Sequence, residues 1–67
     1  MQRVNVGDIR VWNDQTGINS NQYFVVIDIF HDSYFAGAPF CMIRYVKDGR
    51  LEYGWDLDFI KRDSQIA

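Results

Sequence analysis

The sequence predicts an all-β fold, and three observations lead to this class. Short runs of alternating apolar and polar residues recur along the chain, and this alternation has the period of a β-strand. Clusters of turn-forming residues separate the runs. No segment has the sustained 3.6-residue periodicity of a long helix. A chain of 67 residues allows one domain, residues 1–67, for which we expect five strands.

The first predicted strand is VNVGDIRVW, residues 4–12. Its aliphatic residues alternate from Val4 to Val11 around a Gly-Asp bend, which is the pattern of a half-buried strand. This alternation places Arg10 and Trp12 on the face opposite the aliphatic residues.

The strongest predicted strand is QYFVVIDIF, residues 22–30. Its β-branched and aromatic residues favour extended backbone. Both of its faces are mostly apolar, so we expect a central, curved strand whose faces are covered by different neighbours. Residues 13–21 before it and residues 31–40 after it are rich in turn formers and predict two loops.

The segment CMIRYVKDGRLEYGW, residues 41–55, predicts a tight hairpin because Asp48-Gly49 favours a type I′ turn. With a two-residue loop, the facing pairs are Lys47–Arg50, Val46–Leu51, Arg44–Tyr53 and Met42–Trp55. A four-residue turn would shift this register and swap the faces. After the hairpin, Asp56 and Asp58 favour the start of one short helical turn.

The composition limits the classes of function. The chain is 48% hydrophobic and 16% aromatic, with a net charge of −2 and an isoelectric point near 5.0. The acidic balance argues against binding driven by phosphates. The single Cys41 excludes an internal disulfide and the single histidine disfavours a zinc site, so we expect neither metal nor cofactor.

The chain also lacks the features of an exported or membrane protein. No stretch approaches the ~18 apolar residues that span a bilayer. The amino terminus, MQRVNVGD, has no apolar run of a secretory signal. Together with the lone thiol, these features predict a cytoplasmic protein without membrane attachment.

The order of the elements carries a resemblance. Gly7-Asp8 opens an alternating strand, a tight hairpin follows, and the segment LDFIK comes after the hairpin. This order resembles the SH3-like small barrels, most of all the Tudor- and KOW-type domains, and is similar to small SH3-like proteins encoded by bacteriophages. The resemblance extends from about Val4 to Lys61. It implies one five-stranded barrel with a short 3-10 turn near the carboxyl end.

The Tudor resemblance implies an aromatic cage that binds methylated lysine or arginine through cation–π contacts. The matching positions are Trp12 and Tyr23, with looser matches at Tyr45 and Tyr53. The third strand ends in Val46-Lys47, where these domains commonly have an Asp-Tyr pair. The alternative is that Tyr23 and Tyr45 are core rings whose hydroxyl groups reach water.

The aromatic excess also predicts a flat interaction surface. We expect Trp55, Met42 and Tyr53, with Trp12, to share one exposed side of the sheet beside Arg44, because these residue types are enriched in protein interfaces. The sequence therefore predicts a non-enzymatic protein-binding module, and the resemblance to phage-encoded proteins implies a small inhibitor or modulator of a host protein. The predicted partner-binding residues are Trp12, Tyr23, Tyr34, Phe35, Arg44, Tyr53 and Trp55.

Three alternatives remain open. A KOW-like nucleic-acid-binding domain would use Arg44, Lys47 and Arg50. A homo-oligomer would compensate for the small core of so short a chain. An enzyme is disfavoured, because the only cluster with a possible base is His31 with Asp28 and Asp32, and the alternation places His31 and Asp28 on opposite sides.

Overall fold

The computed structural model describes residues 3–13, 22–35 and 38–67, with the backbone alone over residues 32–35. The predicted loop over residues 13–21 therefore lies outside the described part of the chain, except for Asn13. The bounds of the elements are β1 Ile9–Trp12, β2 Tyr23–Phe35, β3 Ala38–Tyr45, β4 Leu51–Asp56, α1 Leu57–Asp63 and β5 Ser64–Ile66.

The five strands form one antiparallel sheet in the order β4-β3-β2-β1-β5. The prediction of five strands and a mainly β fold is confirmed. In the described part of the chain β4 and β5 are the two edges, so these strands form an open sheet.

The first strand keeps its predicted alternation. β1 is shorter than predicted because the chain bends at Gly7, where φ is +94°. The N–H group of Gly7 donates to the carbonyl of Val26 at 2.8 Å, which ties the bend to β2. The buried face of β1 carries Arg10 and Trp12, whereas Ile9 on the aliphatic face is exposed.

The predicted loop over residues 31–40 is wrong, because β2 and β3 continue into it as a hairpin. Tyr34 pairs with Pro39 and Phe35 pairs with Ala38. A register irregularity precedes these pairs, and a proline, which has no N–H group to donate, is tolerated beside such an irregularity. The aromatic pair Tyr34-Phe35 favours extended backbone more than its neighbours disfavour it.

The hairpin between β3 and β4 has a four-residue loop, residues 46–49, instead of the two-residue loop. The N–H group of Tyr45 donates to the carbonyl of Arg50 at 2.9 Å and closes the loop. The facing pairs are Arg44–Leu51, Ile43–Glu52 and Met42–Tyr53. This register differs by two positions from the register expected for a two-residue loop. Because a shift by an even number of residues keeps each side chain on the same face, the expected swap of faces does not occur.

A bulge in β4 changes the face of one tryptophan. Gly54 has a φ of +89°, and the pairing slips at this point so that Trp55 faces Cys41. The prediction that Trp55 faces Met42 is therefore wrong. Trp55 lies on the same side of the sheet as the buried Cys41, while Tyr53 remains on the other side.

The predicted 3-10 turn near the carboxyl end is wrong, because α1 is an α-helix of seven residues. Its start is stabilised as the acidic residues predict. Oδ1 of Asp56 accepts hydrogen bonds from the backbone N–H groups of Asp58 and Phe59, at 2.8 and 3.1 Å. Ile60, in the middle of the helix, is fully buried and fixes the helix against the sheet.

The two faces of the sheet differ in what covers them. The inner face packs against α1 and supplies the core residues Trp12, Phe24, Val26, Cys41, Ile43 and Tyr45, which Ile60 joins from α1. No helix or strand of the described chain lies over the other side. We call it the outer face, and it comprises Ile9, Val11, Tyr23, Val25, Asp28, Phe30, Phe40, Met42, Arg44, Leu51 and Tyr53.

Candidate binding pocket

A cavity of about 640 Å³ lies where the inner face meets α1. It contains aromatic rings and three charged residues, and its lining consists of Trp12, Asn13, Tyr45, Arg50, Glu52, Trp55, Phe59 and Asp63. Asn13 and Arg50 are exposed, which places the cavity at the surface of the molecule. We call it the aromatic pocket.

Three rings pack against one another to form its wall. The ring centroids of Trp12 and Trp55 are 4.9 Å apart, and Trp55 stacks on Phe59 at 5.4 Å with an interplanar angle of 22°. Trp12 and Phe59 complete the triangle at 5.8 Å. These separations are typical of favourable aromatic pairs. Each ring is held by the other two, so the wall is formed before any ligand arrives.

A chain of hydrogen bonds connects the polar groups of the aromatic residues to the carboxylate of Glu52. The indole N–H of Trp12 donates to the hydroxyl oxygen of Tyr45 at 3.1 Å, and this hydroxyl donates to Oε1 of Glu52 at 3.2 Å. The indole N–H of Trp55 donates to the same Oε1 atom at 2.9 Å. Each of these buried or half-buried polar groups is therefore paired.

The bulge at Gly54 makes this arrangement possible. In a regular strand, Glu52 and Trp55 would lie on opposite faces, because they are three positions apart. The extra residue in the bulge returns Trp55 to the face of Glu52, within reach of its carboxylate. A glycine is needed because the bulge requires a positive φ.

A cation already sits on one ring of the pocket. The guanidinium carbon of Arg50 lies 4.7 Å from the ring centroid of Tyr45. Its Nε atom lies 3.6 Å from Oε2 of Glu52, the oxygen that the ring hydrogen bonds leave open. Both side chains of this ion pair are partly exposed, so the pair is weak.

The same combination occurs at the other end of the pocket. The guanidinium carbon of Arg62 lies 5.4 Å from the ring centroid of Phe59, and the group bonds to the carboxylate of Asp63 at 3.1 Å. Behind the stacked rings, a second cavity of about 430 Å³ is lined by Trp55, Asp56, Asp58, Phe59 and Arg62. The two cavities together carry four carboxylates and two guanidinium groups, an excess of two negative charges.

Burial changes the ionisation of the tyrosine in this pocket. Desolvation raises the pKa of Tyr45, and the nearby carboxylate of Glu52 acts in the same direction. The hydrogen bond from Trp12 and the charge of Arg50 oppose the rise in this pKa. Tyr45 is therefore a neutral hydroxyl at physiological pH, able to accept from one ring and donate to the carboxylate.

Arg10 is the buried charge that the sequence pattern did not single out. Only 2% of its surface is exposed. Its Nε and Nη2 atoms donate to the hydroxyl and carbonyl oxygens of Ser64 at 2.7 and 2.9 Å, which ties β1 to β5. Nη1 has no hydrogen-bond partner among the described residues. Burial lowers the pKa of Arg10, and the charge of Asp8 opposes this effect.

The structure divides the predicted partner-binding residues between two faces. Trp12 and Trp55 line the aromatic pocket, but Trp12 is only 6% exposed, so the prediction that it shares an exposed side with Tyr53 is wrong. Tyr23, Arg44 and Tyr53 lie on the outer face and are exposed. For Tyr34 and Phe35 only the backbone is described, so the prediction for their side chains lies outside the described part of the structure.

The positions that the Tudor resemblance implies are divided in the same way. Trp12 and Tyr45 meet in the pocket and are linked by a hydrogen bond. Tyr23 and Tyr53 lie on the opposite face of the sheet, so they are not part of this pocket. The pocket takes Trp55 and Phe59 in their place.

Sequence reasoning assigned four residues of the pocket to no site, namely Asn13, Glu52, Phe59 and Asp63. The available signal was the pattern Glu-x-Gly-Trp, in which a glycine bulge brings an acidic and an aromatic side chain to one face.

The cations of the nucleic-acid alternative do not form one basic surface. Arg44 lies on the outer face, and Lys47 lies in the hairpin loop. Arg50 turns toward the pocket and pairs with Glu52. This placement gives the alternative less support than the aromatic pocket gives to protein binding.

The described residues contain no group of three or more His, Cys, Asp or Glu side chains arranged to hold a metal ion. None of the helices in the described chain has the length and apolar character needed to cross a bilayer. Comparison of the chain with known protein families, with curated proteins and with solved structures finds no match.

Proposed function

We propose that this protein is a non-enzymatic protein-binding module and that the aromatic pocket receives a basic side chain of the partner. The observation that carries the proposal is the position of Arg50, whose guanidinium group lies over the Tyr45 ring beside Glu52. A site that accepts a guanidinium group from its own chain has the chemistry to accept one from another chain.

The composition of the pocket supports a cation over an anion or an apolar group. Aromatic faces attract cations, and this attraction grows when the cation leaves water. Among the described residues, Oε2 of Glu52 has only the long contact to Arg50, so it offers a second, charged interaction. The excess of carboxylates around both cavities adds to the same preference.

The preformed wall supports recognition of a side chain rather than of a flat surface. Trp12, Trp55 and Phe59 hold one another, and Glu52 fixes both indole groups through the hydrogen bonds described above. Binding then orders few side chains of the module, which lowers the entropic cost. The cavity also has the volume expected for a site that takes part of a larger ligand.

We further propose that the open sheet is a form of the SH3-like small barrel. The five antiparallel strands, the hairpin of β3 and β4 and the short helix that follows it support this assignment. The helix is longer than the resemblance implies, and no described hydrogen bonds join β4 to β5.

A peptide selection tests the proposed ligand. A displayed library of random peptides is selected against the folded protein, and each selected peptide is resynthesised with Arg or its neutral isostere citrulline at the enriched position. We expect Arg or Lys to be enriched, and citrulline to weaken binding by about tenfold or more in calorimetry.

Three variants test whether the charge of Glu52 and the guanidinium group of Arg50 determine the affinity. Glu52→Gln keeps an oxygen that accepts from Trp55 and Tyr45 but removes the charge, so it should weaken the Arg peptide and not the citrulline peptide. Asp48→Asn removes the same charge outside the pocket and should leave both affinities unchanged. Arg50→Ala should strengthen binding, because it removes the internal competitor. Equal affinity for the Arg and citrulline peptides would reject the proposal.

A further inference from the structure

The outer face has the character of an interface. In an antiparallel sheet that faces water on one side, apolar residues on the buried side alternate with polar residues on the other. Here the cross-strand row Ile9–Val25–Arg44–Leu51 contains three aliphatic residues and one charge. Ile9 and Leu51 are half exposed.

Aromatic rings continue this apolar surface along the sheet. Phe30 stacks on Phe40 at 4.9 Å, and Tyr53 packs on both rings at 5.7 and 5.2 Å. Tyr53 nevertheless keeps 64% of its surface exposed, and Tyr23 keeps 45%. These contacts bury Phe40, while Tyr53 covers it and remains open on its other side.

Two opposite charges lie within this surface without an ionic partner. The side chain of Arg44 makes no hydrogen bond or ion pair with any residue that the structure describes. Asp28 accepts one hydrogen bond, at Oδ1 from the backbone N–H of Ile29, and makes no ion pair in the described chain. They lie on adjacent strands, because Val25 pairs with Arg44 and Asp28 pairs with Met42.

We infer that the outer face binds a second copy of this chain in a two-fold dimer. A two-fold axis in the plane of contact, between positions 28 and 44, places each Arg44 against Asp28 of the second copy. Both charges are then paired by the same contact, made twice, as an isologous interface requires. A partner with a purely apolar surface would leave both charges buried and unpaired.

The extent of the surface fits this assignment. The four most exposed apolar side chains of the face offer on the order of 400 Å², if about half of each is open. The half-buried side chains between them and the two charged residues add to this area. A stable interface buries about 800 Å² on each partner. Dimer formation would also add stability to this chain, because its core is small and it has no disulfide.

Charge exchange tests the dimer. Sedimentation equilibrium from micromolar to millimolar concentration should show a monomer–dimer equilibrium for the natural chain. Arg44→Asp and Asp28→Arg should each weaken self-association by about tenfold or more, because like charges then face each other. An equimolar mixture of the two variants should form heterodimers, since both contacts become Asp–Arg pairs. Lys47→Asp, which reverses a charge in the hairpin loop outside this face, is the control and should self-associate like the natural chain.

A second measurement covers the case in which Asp28→Arg fails to fold, as judged by circular dichroism. In proton–nitrogen correlation spectra of the natural chain, dilution should shift the amide signals of Ile9, Leu51 and Tyr53. The indole signals of Trp12 and Trp55 should not move, because they lie on the inner face. If the chain is a monomer at every concentration, the inference is wrong, and the outer face is then a candidate binding surface for a different protein. Dilution shifts confined to the pocket also overturn it.

Discussion

The two faces of the sheet both carry aromatic rings, but they hold them in different ways. On the inner face, Trp12, Tyr45 and Trp55 direct their polar groups to one another and to Glu52. On the outer face, Phe30, Phe40 and Tyr53 contact one another through their rings.

This difference has consequences for recognition. Hydrogen bonds fix the position of a ring more narrowly than apolar contact does, because their strength depends on direction as well as distance. The inner rings therefore form a pocket of defined shape around a carboxylate. The outer rings form a flat apolar surface, which suits contact with another surface rather than with a single side chain.

The largest expected effect comes from removing an inner ring. Trp12→Ala should lower the free energy of unfolding by about 3–5 kcal/mol, because the ring contacts Phe24, Trp55 and Phe59 in the core. Such a loss approaches the whole stability of a domain this small. Urea unfolding followed by circular dichroism, at a concentration where the chain is monomeric, measures the loss.

Tyr53→Ala is the matched control on the outer face. Its ring is mostly exposed and contributes two ring contacts, with Phe30 and Phe40, so the change should cost about 2 kcal/mol or less. If the two substitutions cost the same, the distinction between the faces is wrong, and the outer rings are part of the core.

A second pair of variants compares the two faces by removing one tyrosine hydroxyl group from each. Tyr45→Phe leaves the buried indole N–H of Trp12 without its acceptor, and an unpaired buried donor costs about 1–3 kcal/mol. Tyr53→Phe removes a hydroxyl group that meets water, so its effect should stay within about 0.5 kcal/mol. The midpoints of urea unfolding compare the two variants, and a near-neutral Tyr45→Phe would show that the hydrogen bonds do not hold the pocket.

Much of the fold was predictable because strand periodicity and turn residues are local properties. The strand over residues 22–30 and the hairpin at Asp48-Gly49 follow from β-branched, aromatic and turn-forming residues. The acidic start of the helix follows from Asp56, whose side chain caps the first N–H groups. Each of these features depends on neighbours within a few residues.

The pocket was not predictable, because it depends on a single irregularity in the sheet. The alternation rule places Trp55 with Met42, and only the bulge at Gly54 moves it to the inner face. The rule also cannot decide which face of β1 is buried: aliphatic residues favour one side, yet the core takes Trp12 and the hydrogen-bonded Arg10. The alternation along one strand determines which of its residues share a face. Which of the two faces is buried depends on how all the strands pack together.

A further expected effect uses the thiol on the inner face as a probe of burial. Burial raises the pKa of Cys41 from its ordinary value of 9.0 to about 11, and the charge of Asp56 acts in the same direction. The unfolded chain therefore loses this proton at a lower pH than the folded chain, so stability is complete below pH 9 and falls as the pH rises toward 11. By pH 10 the loss should be about 1.4 kcal/mol. The Cys41→Ala variant should lose this part of the fall in stability with pH. Adding Leu51→Cys to that variant places a thiol on the outer face and should not restore the fall. An equal slope for the inner and outer thiols would contradict the burial of Cys41.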